Sequence, residues 1–199
     1  MDFQTPEDTV PSDFITEELT RQLVGKPKAT GAWRDGDPAG ERLFAPVGNL
    51  NLESGKTLHQ ARLAYESWGT LNSDASNAVL ILHALTGDSH AVGKASKDHP
   101  TEGWWSDLIG PGKYIDTDKY FVVVPNILGG CQGSTGPSSL DKQGKEYGSR
   151  FPYLTIRDQV LAQVAFSDFL NIKKWHAIIG GSMGGMHVLE WAIDYPERV

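Results

Sequence analysis

The 199-residue chain has one cysteine, Cys131, so no internal disulfide is available and nothing in it requires an oxidising compartment. Long apolar runs are missing as well. The two longest, around residues 78–82 and 120–125, fall well short of the ~20 residues that span a bilayer, which predicts no membrane segment. Basic excess is absent: 18 Lys and Arg face 25 Asp and Glu, a formal net charge of -7. Nucleic-acid binding needs Lys and Arg to neutralise phosphates, so that class of partner is excluded. Met1-Asp2-Phe3-Gln4 shows neither the basic nor the apolar region of a secretory signal, and a cytoplasmic location is expected. Paired-cysteine and H-E-x-x-H spacings are lacking, and histidines and carboxylates lie scattered along the chain, so no metal site is expected.

What is present is enough for a core. A hydrophobic content of 39%, with 10% aromatic, excludes wholesale disorder, collagen and coiled coil. The length suits one domain with at most an appendage. Residues 1–42 differ from the rest: the first twenty hold six acidic residues and no Lys or Arg, and Gly, Pro and mixed charge follow. They read as a flexible N-terminal extension, with the domain proper over 43–199. Residues 43–52 and 57–67 form two candidate strands about the turn Glu53-Ser54-Gly55-Lys56, an antiparallel hairpin. Ala78–Leu82 and Tyr120–Val124 are continuous apolar runs instead, the pattern of strands buried on both faces of a parallel sheet. Ile156, Val160 and Val164 recur at helical spacing over 156–170, with Asp158, Gln159, Gln163 and Asp168 at polar positions. Thr155 stands in the N-cap place with Asp158 three residues on. A short buried strand over 175–179 and a second helix from just after Ser182 to about Tyr195 complete a three-layer α/β pattern.

The chemistry is concentrated where that last strand meets that last helix. Gly180-Gly181-Ser182-Met183-Gly184 is G-x-S-x-G between strand and helix, the setting of a nucleophile elbow. A serine at the apex of so tight a turn leaves no room for side chains two residues before and after it, hence glycine at 180 and 184. A dinucleotide-binding turn would need glycine where Ser182 stands, and a purely structural turn remains the other reading. An elbow also needs a backbone donor on another loop. Leu82-His83-Ala84-Leu85-Thr86-Gly87-Asp88 leaves a buried strand in the right manner, so the N–H groups of Leu85 and Met183 are the candidate oxyanion donors. The stretch Asn126–Ser139, rich in glycine and hydroxyls, either passes close to a substrate or simply folds tightly. Cys131 within it reads as an inert packed thiol.

Several blocks in order make the sequence recognisable: His83–Ser89, Gly103-Trp104-Trp105, Gly110-Pro111-Gly112, Asn126–Ser139, Ser149-Arg150-Phe151-Pro152, Ile156–Val160 and Gly180–Gly185. Over about residues 45–199 the chain resembles the homoserine O-acetyltransferases of the α/β-hydrolase superfamily. The resemblance implies an incomplete α/β-hydrolase fold and a transfer of acetyl from acetyl-CoA, a co-substrate with no bound cofactor beside it, to the hydroxyl of L-homoserine in methionine biosynthesis. It places the nucleophile on Ser182 and the oxyanion donors on Leu85 and Met183, and it suggests a homodimer.

The triad order of this superfamily, Ser then Asp or Glu then His, puts both partners of Ser182 further along the chain. Only the helix and Tyr195-Pro196-Glu197-Arg198-Val199 follow. His187 lies too close in the chain to reach back over Ser182, while His83, His90 and His99 precede it and His59 and His176 sit on strands. All six are expected in surface, packing or supporting roles, and Glu190 and Asp194 as helix-surface charges. Lys113, Arg150 and Arg157 are the cations considered for CoA phosphates, each expected instead to be solvated. The chain alone is therefore expected to be inactive, with the acid, the base and the substrate-binding Arg beyond Val199. The alternatives are a succinyltransferase, a serine acceptor or a serine esterase on the same fold, and a non-catalytic module of that fold.

Overall fold

Two strands of partial alternation about a glycine turn, nine residues and then twelve, set up the first hairpin. In the computed structural model, which describes residues 31–99 and 101–199, β1 (Leu43–Asn51) pairs antiparallel with β2 (Thr57–Trp68) through irregular registers at Pro46, Gly48 and Leu50. β2 continues antiparallel onto β6 (Phe121–Pro125). β6 runs parallel to β3 (Ala78–Leu82), and β3 parallel to β7 (Ala177–Gly180), giving the order β1-β2-β6-β3-β7. A small parallel ladder, β4 (Ile109–Gly110) with β5 (Ile115–Asp116), stands apart.

β3 shows why its sequence is apolar without a break. Ala78, Leu80 and Leu82 join the cluster on one face of the sheet, with Leu63, Val123 and Phe166, while Val79 and Ile81 join the cluster on the other, with Val122, Val124 and Ile109. Both faces are buried, so period-2 alternation has nothing to mark. The first face is covered by α1 (Ile156–Phe169) and α2 (Met183–Asp194). The second is covered by the irregular segment carrying Ala91, Trp104, Trp105 and Ile109, where a layer of helix was expected. β7, expected to be buried, is half-buried along its length because it is the last strand of the sheet.

α1 begins as its sequence predicts. Thr155 Oγ1 accepts the Asp158 N–H at 3.1 Å, and Asp158 Oδ2 accepts the Thr155 N–H at 3.0 Å, closing a capping box. Asp158 Oδ1 also accepts the Glu53 N–H, which ties the helix start to the β1–β2 turn and buries a carboxylate the helical pattern placed outside. Gln163 and Ser167 are buried for a related reason: Gln163 Oε1 accepts the Trp191 indole N–H at 2.8 Å, and Ser167 Oγ accepts that of Trp175 at 3.0 Å. Large indoles supply apolar area, and each polar tip needs a partner inside.

Ala32–Val199 form one compact unit, so the boundary expected between residues 42 and 43 falls inside it. Trp33 donates its N–H to the Cys131 carbonyl and stacks tilted on Phe44, and Arg62 lies against both rings while pairing with Asp35 at 2.5 Å. The expectation of flexibility over residues 1–30 lies outside the described residues. Among the described residues no helix is long and apolar enough to cross a membrane.

Candidate active site

Ser182 has φ 56° and ψ -122°, a backbone region that L residues rarely occupy and that costs of order 1–3 kcal/mol to hold. The surroundings enforce it. A Cβ on Gly180 would collide with the backbone of Gly184, and a Cβ on Gly184 would collide with the Leu82 carbonyl at the end of β3. Glycine at these two positions is thus a packing requirement of the turn, as the spacing implies. Ser182 is exposed at the N-terminus of α2 and makes no capping bond with its own side chain, so Oγ is left available. Met183 is the first residue of the helix, where an N–H has no intrahelical acceptor and the helix dipole is positive.

The close approach of Gly184 to Leu82 brings the elbow against the loop that leaves β3. Ser182 and Gly181 share a cleft of about 510 Å³ with Ala84, Thr86, Asp88, Trp104 and Trp105. Leu85, between two of these lining residues, is 73% exposed. Its loop is braced from beneath by His83, whose Nε2 accepts the Ile127 N–H at 3.1 Å. That bond leaves the proton on Nδ1, which donates to the Ala84 carbonyl at 2.7 Å. The same carbonyl accepts the Gly87 N–H, so the turn around Leu85 is held by two donors. Burial pushes the His83 imidazole below its ordinary pKa, which keeps the ring neutral and the bracing intact.

The other singled-out residues fall into place around this centre. His187 is fully buried; its Nε2 lies 2.8 Å from Gln159 Oε1, and burial lowers its pKa to about 4. Glu190 and Asp194 both accept from Arg157 Nε, at 2.7 and 2.9 Å, and Arg157 also reaches Glu53. Arg150 pairs with Asp141 at 2.7 Å, and Lys113 donates to the Ser106 carbonyl. The three cations considered for CoA phosphates are therefore engaged within the chain. In the 126–139 stretch Ser134 Oγ accepts the Ala64 N–H and donates to the Asn126 carbonyl, while Thr135 Oγ1 accepts the Arg62 N–H. These hydroxyls lash the stretch to β2, which favours the tight-folding reading. Cys131 is exposed, against the expectation of a packed thiol. His59 and His176 are exposed too.

One constellation escaped the sequence reading. Glu66 from β2, His90 and His99, scattered over 34 positions, converge in a buried cluster. Their spacing matches no short motif, and the only sequence signal was a glutamate inside an otherwise apolar strand end.

Residues 77–199 match the alpha/beta hydrolase fold family. The chain is 61% identical over 200 residues to a homoserine O-acetyltransferase of Leifsonia xyli, covering 100% of this chain and 50% of that protein. It is 60% identical over 172 residues to one of Thermobifida fusca, covering 86% and 45%. Among solved structures it resembles esterase E22 (39% identity, TM-score 0.73, 80% of this chain and 45% of that one). It also resembles a homoserine O-acetyltransferase from Bacillus anthracis (37% identity, TM-score 0.72, 79% and 44%). The chain spans about half the length of the curated relatives it matches. With a strained serine at a strand-to-helix turn, a braced loop facing it and this match over most of its residues, the chain belongs to the α/β-hydrolase family.

Proposed function

We propose that the full-length protein transfers acetyl from acetyl-CoA to the hydroxyl of L-homoserine through an acyl-serine at Ser182. The observation that carries this reading is the backbone of Ser182, strained and exposed in the cleft it shares with the Leu85 loop, in a chain 61% identical to a named homoserine O-acetyltransferase. Ser182 Oγ attacks the thioester carbonyl carbon and gives its proton to a general base. The N–H groups of Leu85 and Met183 receive the oxyanion, a contribution of about 3–4 kcal/mol per donor. The C–S bond then breaks and CoA leaves as the thiol with the proton from the base; the homoserine hydroxyl attacks the acyl carbon as it gives its proton to the base, and the acyl bond to Ser182 Oγ breaks as the base returns that proton to Oγ. Transfer in place of hydrolysis requires that water be excluded while the alcohol is oriented. The reading assigns the base, its carboxylate partner and the substrate-orienting groups to the half of the relatives' length that this chain does not span. It carries with it a cytoplasmic place in methionine biosynthesis and a homodimer.

Ser182→Ala in the full-length protein is expected to lower kcat by roughly four to six orders of magnitude and to abolish an acetylated Ser182 seen by mass spectrometry. Undiminished turnover, or acetyl on another residue, would sink the assignment. A serine esterase is the second reading, supported by the likeness to esterase E22. Following free acetate against O-acetylhomoserine separates the two.

A further inference from the structure

On the far side of the loop that bounds the Ser182 cleft, a carboxylate and two imidazoles from three separate segments face one another. Glu66, His90 and His99 are each no more than 3% exposed. His90 Nδ1 lies 3.0 Å from Glu66 Oε2, and His99 Nε2 lies 3.7 Å from Glu66 Oε1. One donor atom from each of the three lies within 4.8 Å of the others. We propose that Glu66, His90 and His99 form a binding site for a divalent transition-metal ion of the Zn²⁺ class.

The first argument is the spacing of the facing atoms. His99 Nε2 accepts the Glu41 N–H at 3.3 Å, so in the neutral ring this nitrogen presents its lone pair. An ion here would replace the long Glu41 contact on that lone pair, beside Glu66 Oε1, which accepts from Ser89 Oγ at 3.3 Å and not from His99 Nε2. The 3.7 Å between His99 Nε2 and Glu66 Oε1 is too long for a hydrogen bond. It is close to the ~3.4 Å between two ligands of one tetrahedral Zn²⁺ at ordinary bond lengths.

A second argument is the freedom of the rings. They stack at 4.0 Å between centroids and 13° between planes, so their lone pairs lie in nearly parallel planes and one ring must tip to share an ion. His90 Nε2 and His99 Nδ1 are buried without a protein partner, so neither ring is locked by its second nitrogen. Backbone, not side chain, cradles them: a Cβ on Gly93 would come within 2.7 Å of His90 Cε1, and one on Gly40 within 3.0 Å of His99 Nε2.

Charge and access agree. Among the groups around the cluster, the carboxyls of Glu41, Glu66, Asp88 and Asp98 outnumber the cations of Arg42 and Lys94. A cleft of about 490 Å³ bounded by Glu41, Ser67, Lys94 and Ser96 leads to the three residues. Two imidazoles and one carboxylate suit Zn²⁺, Co²⁺ or Ni²⁺, whereas Mg²⁺ and Ca²⁺ prefer oxygen throughout. A bound ion would join β2, the end of the Leu85 loop and the 94–102 segment, whose Thr101 and Glu102 line the Ser182 cleft.

The test is direct and does not depend on catalysis. Full-length protein, stripped with a chelator and dialysed, is titrated with Zn²⁺ by calorimetry and with Co²⁺ by visible absorption. One ion per chain is expected, with a rise in Tm and a ligand-field band of mixed nitrogen and oxygen ligation. Glu66→Gln, which keeps the buried shape, and His99→Ala should each weaken binding on the order of 100-fold or more, since even the loss of an outer partner costs 10–100-fold. His59→Ala with His176→Ala should leave it unchanged. In the wild type the His90 and His99 ring ¹⁵N resonances should shift on adding Zn²⁺, a readout that needs no variant. Absence of a one-to-one site, unmoved His90 and His99 resonances, or affinity retained in folded Glu66→Gln would overturn the proposal.

Discussion

On the β1 side of the sheet, the hairpin and α1 enclose Leu63, Leu58 and Phe166 at no more than 1% exposure. On the β7 side, α2 leaves Met186, Leu189 and Ile193 57, 66 and 69% exposed. The two helices are neighbours on the same face of the sheet, so the contrast is not one of layer. α1 spends its inward positions on a hairpin that closes over it, while α2 buries Gly184, His187 and Trp191 and turns its remaining apolar side chains outward beside the last strand. Ser182 stands at the junction. Leu82, against which Gly184 packs, and the braced Leu85 loop bound Ser182 from the direction of the closed region, whereas the other direction is the open one. Met186, Leu189 and Ile193 recur at helical spacing and form an exposed apolar stripe along α2.

Breaking the closed region should have the largest effect. Phe166 is fully buried and packs tilted on Tyr65 of β2 at 5.0 Å between ring centroids. Phe166→Ala removes that contact and leaves a cavity between α1 and the sheet, with an expected loss of about 3–5 kcal/mol. The shift of the urea midpoint at unchanged slope measures it. A loss under about 1 kcal/mol would mean that the hairpin side is looser than its burial implies.

The junction itself can be probed by acid. His187 is neutral in the folded protein because burial, aided by the nearby His83, lowers its pKa from 6.5 to about 4. The unfolded chain therefore binds the proton first, and between about pH 6.5 and 4 it holds more protons than the folded state. Stability falls as the pH drops through that window, by up to about 3 kcal/mol from this residue, and the effect vanishes above it. His187→Gln should flatten the fall without removing that due to His99, whose pKa is also lowered to about 4. Denaturation midpoints at a series of pH values show whether the two slopes separate.

How far the sequence foretold these regions depends on how local each signal is. The elbow was legible because its steric demand acts over two residues on either side of Ser182, and the capping box because Thr155 and Asp158 bond each other. β3 was legible because burial on both faces leaves an unbroken apolar run. The covering of the second face was misread, since Trp104, Trp105 and Ile109 are held by irregular backbone that has no period to detect. Asp158 and Gln163 looked solvated because a helical pattern records polarity and not the buried N–H groups of Glu53 and Trp191 that need them. Glu66, His90 and His99 could not be grouped at all. Their convergence depends on β2 reaching the loops beyond β3, a tertiary pairing with no fixed spacing in the chain.

The smallest effect is expected at Leu189, and it is the sharpest test of the comparison. In the 199-residue chain the side chain is 66% exposed and covers little, so Leu189→Ala should change stability by no more than about 0.5 kcal/mol. Removing apolar surface there should nevertheless lower binding of a hydrophobic dye and slow aggregation, because the substitution shrinks the exposed patch without touching the core. In the full-length protein the same substitution should cost about 2–5 kcal/mol if a further element packs on α2, the ordinary penalty for a buried leucine. Equal small losses in the short and long chains would show that α2 faces solvent in both. The openness of the β7 side would then be a property of the fold and not of how much of the chain is present.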